Sequence, residues 1–200
     1  MTTFPYSGQT DDMLGKIAPW RHLVAAGAVG GTALLAAAGV IGNNRQEHFE
    51  SKVVTVEPSG VDGVRIREVV DEDFGTADRH GYQRIIPTNF GEPTDIEASS
   101  PDANADIHVT ALAEGDRIRL GDPNATVTGQ HRYVLAYTLP DAQLSSGNLA
   151  LDIIAAGEEF KTDRFEVVVR GLQLSDPTCS VGADRHVGGC TLERDGDVYR

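Results

Sequence analysis

Leu23 to Ile41, LVAAGAVGGTALLAAAGVI, carries no charge and shows no polar face. As a helix at about 1.5 Å per residue it would span about 28 Å, close to the hydrocarbon thickness of a bilayer. A core helix of a water-soluble domain would show a polar face instead. Two readings fit: an uncleaved signal anchor, or a long signal peptide cut after Ala36-Ala37-Ala38. The apolar run outlasts an ordinary signal-peptide core, and the segment before it is long and contains Asp11 and Asp12. The anchor reading is therefore preferred, with a single transmembrane helix over 22–42 whose partner is the lipid bilayer. Residues 1–21 then form a flexible cytoplasmic tail and 43–51 a polar linker, and 52–200 fold outside the cytoplasm. Gly27 and Gly31 form one GxxxG step, but small residues abound here and the oligomeric state stays open.

The chain has 17 basic and 30 acidic residues, a net charge of −13. Asp11, Asp12, Lys16 and Arg21 cancel before residue 43, so the acidic excess lies in the exported part. Such a field repels phosphate backbones, and no nucleic-acid partner is expected. The two cysteines, Cys179 and Cys190, enclose a short glycine-rich loop. A disulfide is the preferred state in an oxidising compartment, with free thiols the next reading. Two thiols with His186 between them lack the fourth ligand of a zinc site. An N-in, C-out orientation follows from this pair and from the acidic domain, because Lys16 and Arg21 before the apolar segment balance Arg45 and Lys52 after it.

Beyond the linker, apolar residues recur with period two. Strands are expected at 52–57 (KVVTVE), 64–68 (VRIRE), 106–112 (DIHVTAL), 116–120 (DRIRL), 131–139 (HRYVLAYTL), 148–156 (NLALDIIAA) and 164–172 (RFEVVVRGL). PSGVDG and GDPN supply turn chemistry between them. In 116–120, Ile118 and Leu120 alternate with Arg117 and Arg119. The 131–139 stretch is apolar on both faces, which suits a central strand. Short strands at regular spacing predict a mainly β fold, an antiparallel immunoglobulin-like β-sandwich, without the tryptophan–cysteine core of antibody domains.

The stretch Asp78–Gly91, DRHGYQRIIPTNFG, allows two readings. Arg79, His80, Tyr82 and Arg84 could form a cationic, aromatic rim for an anionic or glycan ligand. Alternatively Gly81 makes an unusual turn, Tyr82 and Ile85 enter the core, Arg84 pairs with a carboxylate and Pro87 ends an edge strand. The second reading is preferred. Asp71, Glu72, Asp73 and Asp78 lack the spacing of a calcium loop and are expected as solvated surface charge. The exported histidines, at 48, 80, 108, 131 and 186, show no metal-ligand spacing, and no catalytic motif appears. Neither catalytic residues, metal ligands nor a cofactor are assigned.

VRIREVVDEDFG (64–75), RHGYQRIIPTNF (79–90) and RIRLGDPNATVTGQHRYVLAYTL (117–139) follow one another ahead of the late cysteine pair. This series resembles the bacterial membrane proteins that carry Domain of Unknown Function 2207, over about residues 50–192. Their tryptophan-containing segment is replaced here by NLALDIIAAGEEF (148–160). The resemblance implies a protein of the bacterial cell membrane with an extracytoplasmic β-domain, and it carries no catalytic residues over. The expected function is a non-catalytic envelope interaction or structural role, with an envelope protein or the cell wall as partner. The alternative is a cell-envelope hydrolase or carbohydrate-binding module using the 78–91 region.

Overall fold

The computed structural model describes residues 46–142, 151, 153, 160–174, 177 and 191–200. The expected tail, the 22–42 segment, both cysteines and nearly all of the 148–156 strand lie outside the described residues. Among the described residues, no helix is long and apolar enough to cross a membrane.

Ten strands occur among the described residues. They are β1 (His48–Ser59), β2 (Gly63–Asp73), β3 (Tyr82–Ile86), β4 (Thr94–Ser99), β5 (Ile107–Ala111), β6 (Asp116–Leu120), β7 (Gln130–Leu139), β8 (Phe165–Arg170), β9 (Arg194–Asp195) and β10 (Val198–Tyr199). They form a seven-stranded sheet in the order β4-β7-β2-β1-β8-β10-β9 and a three-stranded sheet in the order β3-β6-β5. β1 and β2 are joined by a tight turn and pair antiparallel from Ser59↔Gly63 to His48↔Asp73. β7 lies between β2 and β4, the interior place that its two apolar faces predict.

One face of the large sheet carries the buried Val54 and Val56 of β1, Val64, Ile66 and Val70 of β2, and Tyr133, Leu135, Tyr137 and Leu139 of β7. The small sheet covers it with Tyr82, Ile86, Ile118 and Leu120, and all belong to one core cluster. Tyr82 stacks on Tyr133 at 6.0 Å between ring centroids and meets Phe49 edge-on at 6.2 Å. The fold is thus mainly β, two sheets packed face to face.

Three expectations are corrected. β1 begins at His48, inside the expected linker 43–51, because Phe49 is buried against Tyr82 and anchors the strand early. The sheets are not wholly antiparallel: β8 runs parallel to β1, from Lys52↔Phe165 to Val56↔Val169. A period of two reports which face a residue takes and says nothing of strand direction. Finally, it is Ile86 that enters the core from β3, while Ile85 lies half-buried on the outer face.

Candidate functional site

The four residues of the expected rim do not share a surface. Arg79 is exposed, and its Nε donates to Glu47 Oε2 at 2.7 Å. His80 is exposed, with Nδ1 2.9 Å from the Ala125 carbonyl oxygen. Tyr82 and Arg84 point the other way, into the core, at 1% and 3% exposure. Alternation along β3 forces this: with Tyr82 facing the large sheet, Arg84 must follow.

Arg84 ends at Glu68 of β2, itself wholly buried. Its Nε donates to Glu68 Oε1 at 3.2 Å, Tyr137 Oη donates to the same oxygen at 2.8 Å, and Tyr82 Oη donates to Oε2 at 3.1 Å. One carboxylate therefore receives donors from β3 and β7. Burial alone would lower the Arg84 pKa, but Glu68 and the two tyrosines outweigh it, so the guanidinium stays charged. Burial first, and then the Glu68 charge, push Tyr137 well above the ordinary phenol range. This cluster joins the sheets and, closed from water, offers nothing to a ligand.

The acidic run of β2 is not the solvated cluster expected. Glu72 and Asp73 are 4% and 2% exposed. Asp78, beyond the strand, is exposed as expected, and the partly buried Asp71 is gripped by Arg132 through Nε at 2.6 Å and a terminal nitrogen at 2.9 Å. The Arg132 hydrogen bond is the main reason that the Asp71 carboxyl lies below the ordinary range. Asp73 also contributes to an open cleft of about 430 Å³ lined by Glu47, His48, Glu50, Lys161 and Asp163. Ligand atoms of His48, Glu50 and Asp73 lie within 4.8 Å of one another, so these three could hold a metal ion. Protein groups already engage them. His48 Nδ1 lies 2.9 Å from the Gln46 carbonyl oxygen, Gln130 donates to Glu50, and the Gly75 N–H donates to Asp73 at 2.8 Å. Sequence spacing could not reveal this trio, since it joins β1 to the far end of β2.

The outer face of the small sheet differs from the rest of this acidic molecule. Its register sets Gln83, Arg119 and His108 side by side, and next to them Ile85, Arg117 and Thr110. Gln83, His108, Thr110, Arg117 and Arg119 line a shallow depression of about 280 Å³. Arg119 Nε and His108 Nε2 are shielded from solvent yet have no hydrogen-bond partner among the described residues. Arg65, Arg79, Arg84, Arg132 and Arg200 each hold a carboxylate, those of Glu97, Glu47, Glu68, Asp71 and Glu166, whereas Arg67, Arg164, Arg170 and Arg194 enter no ion pair among the described residues. Arg117 and Arg119 enter no ion pair among the described residues. The Arg-Ile-Arg alternation signalled two outward arginines. The neighbours that complete the face come from strand pairing, which that alternation does not encode.

No known protein family and no curated protein is matched by this chain. Several solved structures are matched distantly. An M1 zinc metallopeptidase from Deinococcus radiodurans is 10% identical with a TM-score of 0.42, over 78% of this chain and 38% of that one. Leukotriene A4 hydrolase from Saccharomyces cerevisiae is 11% identical with a TM-score of 0.42, over 80% of this chain and 27% of that one. The chain thus spans well under half the length of these proteins, and likeness at this level carries no argument about activity.

Proposed function

We propose that this protein is a membrane-anchored, non-catalytic interaction module of the bacterial envelope. Residues 22–42 hold it in the bilayer, and an immunoglobulin-like β-sandwich stands outside the cytoplasm, as in the proteins with Domain of Unknown Function 2207 that its sequence resembles. The observation that carries the reading is the outer face of β3-β6-β5. There two arginines without a carboxylate partner among the described residues, Arg117 and Arg119, stand on one strand face and line one depression with Gln83, His108 and Thr110. Surface cations left unpaired amid an acidic excess suit a partner from outside the molecule.

The test is a photo-cross-linking residue at Thr110 in the full-length chain, irradiated in intact cells. A discrete adduct in the envelope fraction is expected. The same group at Val61, exposed in the β1–β2 turn, serves as the control. Absence of an adduct at Thr110, or an identical pattern from both positions, overturns the reading.

A further inference from the structure

We infer that the outer face of the small sheet binds one oxyanion group, phosphate or carboxylate, carried on a hydroxylated molecule such as a sugar or polyol. The inference rests on reading that face as the recognition surface and adds the chemistry of what it takes.

Arg117 and Arg119 stand two residues apart on one face of β6, which puts their guanidinium stems about 6–7 Å apart. Each guanidinium offers a planar fork of donors that matches two oxygens of a carboxylate or phosphate. Between them and their neighbours lie the unpartnered Arg119 Nε and His108 Nε2. The Arg119 Nε–H is a shielded donor without an acceptor, which costs stability, and an incoming oxygen would restore the missing bond. Gln83 and Thr110 flank the arginines across the strands and add neutral donors and acceptors, the groups that recognise hydroxyls. A depression of about 280 Å³ holds one small headgroup.

The molecule's overall charge then selects among anions. A net charge of −13 repels a polyanion along its whole length, so a nucleic acid or heavily charged polymer loses at range. A single oxyanion meets mainly the local field, because surface charges beyond about 8–10 Å are screened at physiological salt. Five arginines elsewhere are held by Glu97, Glu47, Glu68, Asp71 and Glu166, and the remaining described ones, Arg67, Arg164, Arg170 and Arg194, line neither this depression nor the cleft beside Asp73.

Calorimetry on the full chain, purified in a phosphate-free maltoside detergent, tests this with glycerol 3-phosphate, inorganic phosphate, glucuronate and glucose. Saturable binding of at least one anion is expected, and little for glucose. Glycerol 3-phosphate against glucuronate tells a phosphate source from a carboxylate source. R117Q and R119Q should each weaken the preferred anion about tenfold or more, as loss of a charge-assisted contact does. R65Q, whose guanidinium pairs with Glu97, should leave affinity unchanged. Since neither outer arginine holds another side chain among the described residues, both variants should keep the wild-type urea midpoint. The inference is overturned if no anion binds saturably, if glucose binds as well as the anions, or if R117Q/R119Q binds like wild type. A Thr110 adduct surviving alongside any of these results would preserve the interaction reading and sink only its oxyanion chemistry.

Discussion

Glu68 and Arg84 meet at 3.2 Å with 0% and 2% of their side chains exposed, a charge pair wholly withdrawn from water between the two sheets. Such a pair owes its standing to mutual compensation rather than to net attraction, because desolvating both ions costs several kcal/mol each. R84M should therefore destabilise the protein by about 3–5 kcal/mol, leaving a buried carboxylate without its cation. E68M/R84M should be less damaging than the sum of the single changes, although Tyr82 and Tyr137 would then lose their acceptor. Urea denaturation of the four proteins in a double-mutant cycle measures this, and strict additivity would show that the two charges are not coupled.

Tyr133 and Tyr137 share one face of β7 and differ in one respect that sets their roles apart. Tyr137 Oη donates to Glu68 at 2.8 Å, whereas Tyr133 Oη is buried without a partner among the described residues. Y137F should cost about 1.5–3 kcal/mol, the range for a hydrogen bond to a charged group. Y133F removes an unsatisfied hydroxyl and should stay within about 0.5 kcal/mol of wild type or improve on it. The two residues also govern alkaline behaviour. Burial, followed by the nearby Glu72 and Asp102 charges, raises Tyr133 to about 12. A raised phenol pKa means that the fold favours the neutral form. That stability is complete below the unfolded value of about 10 and is lost as pH climbs through the folded value. Y133F should keep more of its stability at about pH 11, relative to about pH 8, than wild type does. Urea midpoints at the two pH values give the answer.

Much of this architecture is written in residue alternation. The patterns over Val64–Glu68, Asp116–Leu120 and His131–Leu139 place the core side of β2, β6 and β7, because one period fixes one face. The same pattern cannot report partner or direction, which is why the parallel β1–β8 pair and the company that Arg119 keeps with Gln83 and His108 stayed hidden. β4, with its TDIEAS sequence, alternates too weakly to read, being exposed at most positions. Glu72 and Asp73 misled for another reason: their type says surface, yet β1 and β7 flank them on both sides and leave them buried. Glu68 looked like one more charge among thirty acids, and only the meeting of β3 with β2 and β7 reveals its role.

Gly81 and Gly121 lock the β3–β6 ladder at its end by backbone approach. A Cβ on Gly81, where φ is +92°, would sit 1.9 Å from the Leu120 carbonyl oxygen. One on Gly121 would sit 2.2 Å from that of His80. Neither clash can be relieved by turning a side chain. G81A should cost upwards of about 3 kcal/mol, a left-handed backbone penalty plus displacement of the strand end. Gly129 is the fitting control, with φ +74° but no heavy atom within 4 Å of where a Cβ would stand. G129A should cost only about 1–2 kcal/mol. Thermal unfolding of both variants separates close approach from backbone angle, and equal losses would remove the steric argument.

The proposed export of the β-domain rests on the apolar run Leu23–Ile41 and on the cysteines at 179 and 190. If the chain crosses once with its C-terminal part outside, an impermeant maleimide added to intact cells should label nothing at first. It should label both cysteines after mild reduction, because an oxidising compartment joins them. Opening that crosslink should also lower stability by about 2–3 kcal/mol, the entropy released when a loop of this length is freed in the unfolded chain. Labelling before reduction would mean free thiols on the outside and would cost only the disulfide. Labelling that required permeabilised cells and no reductant would place the domain in the cytoplasm, and the envelope role would fall with it.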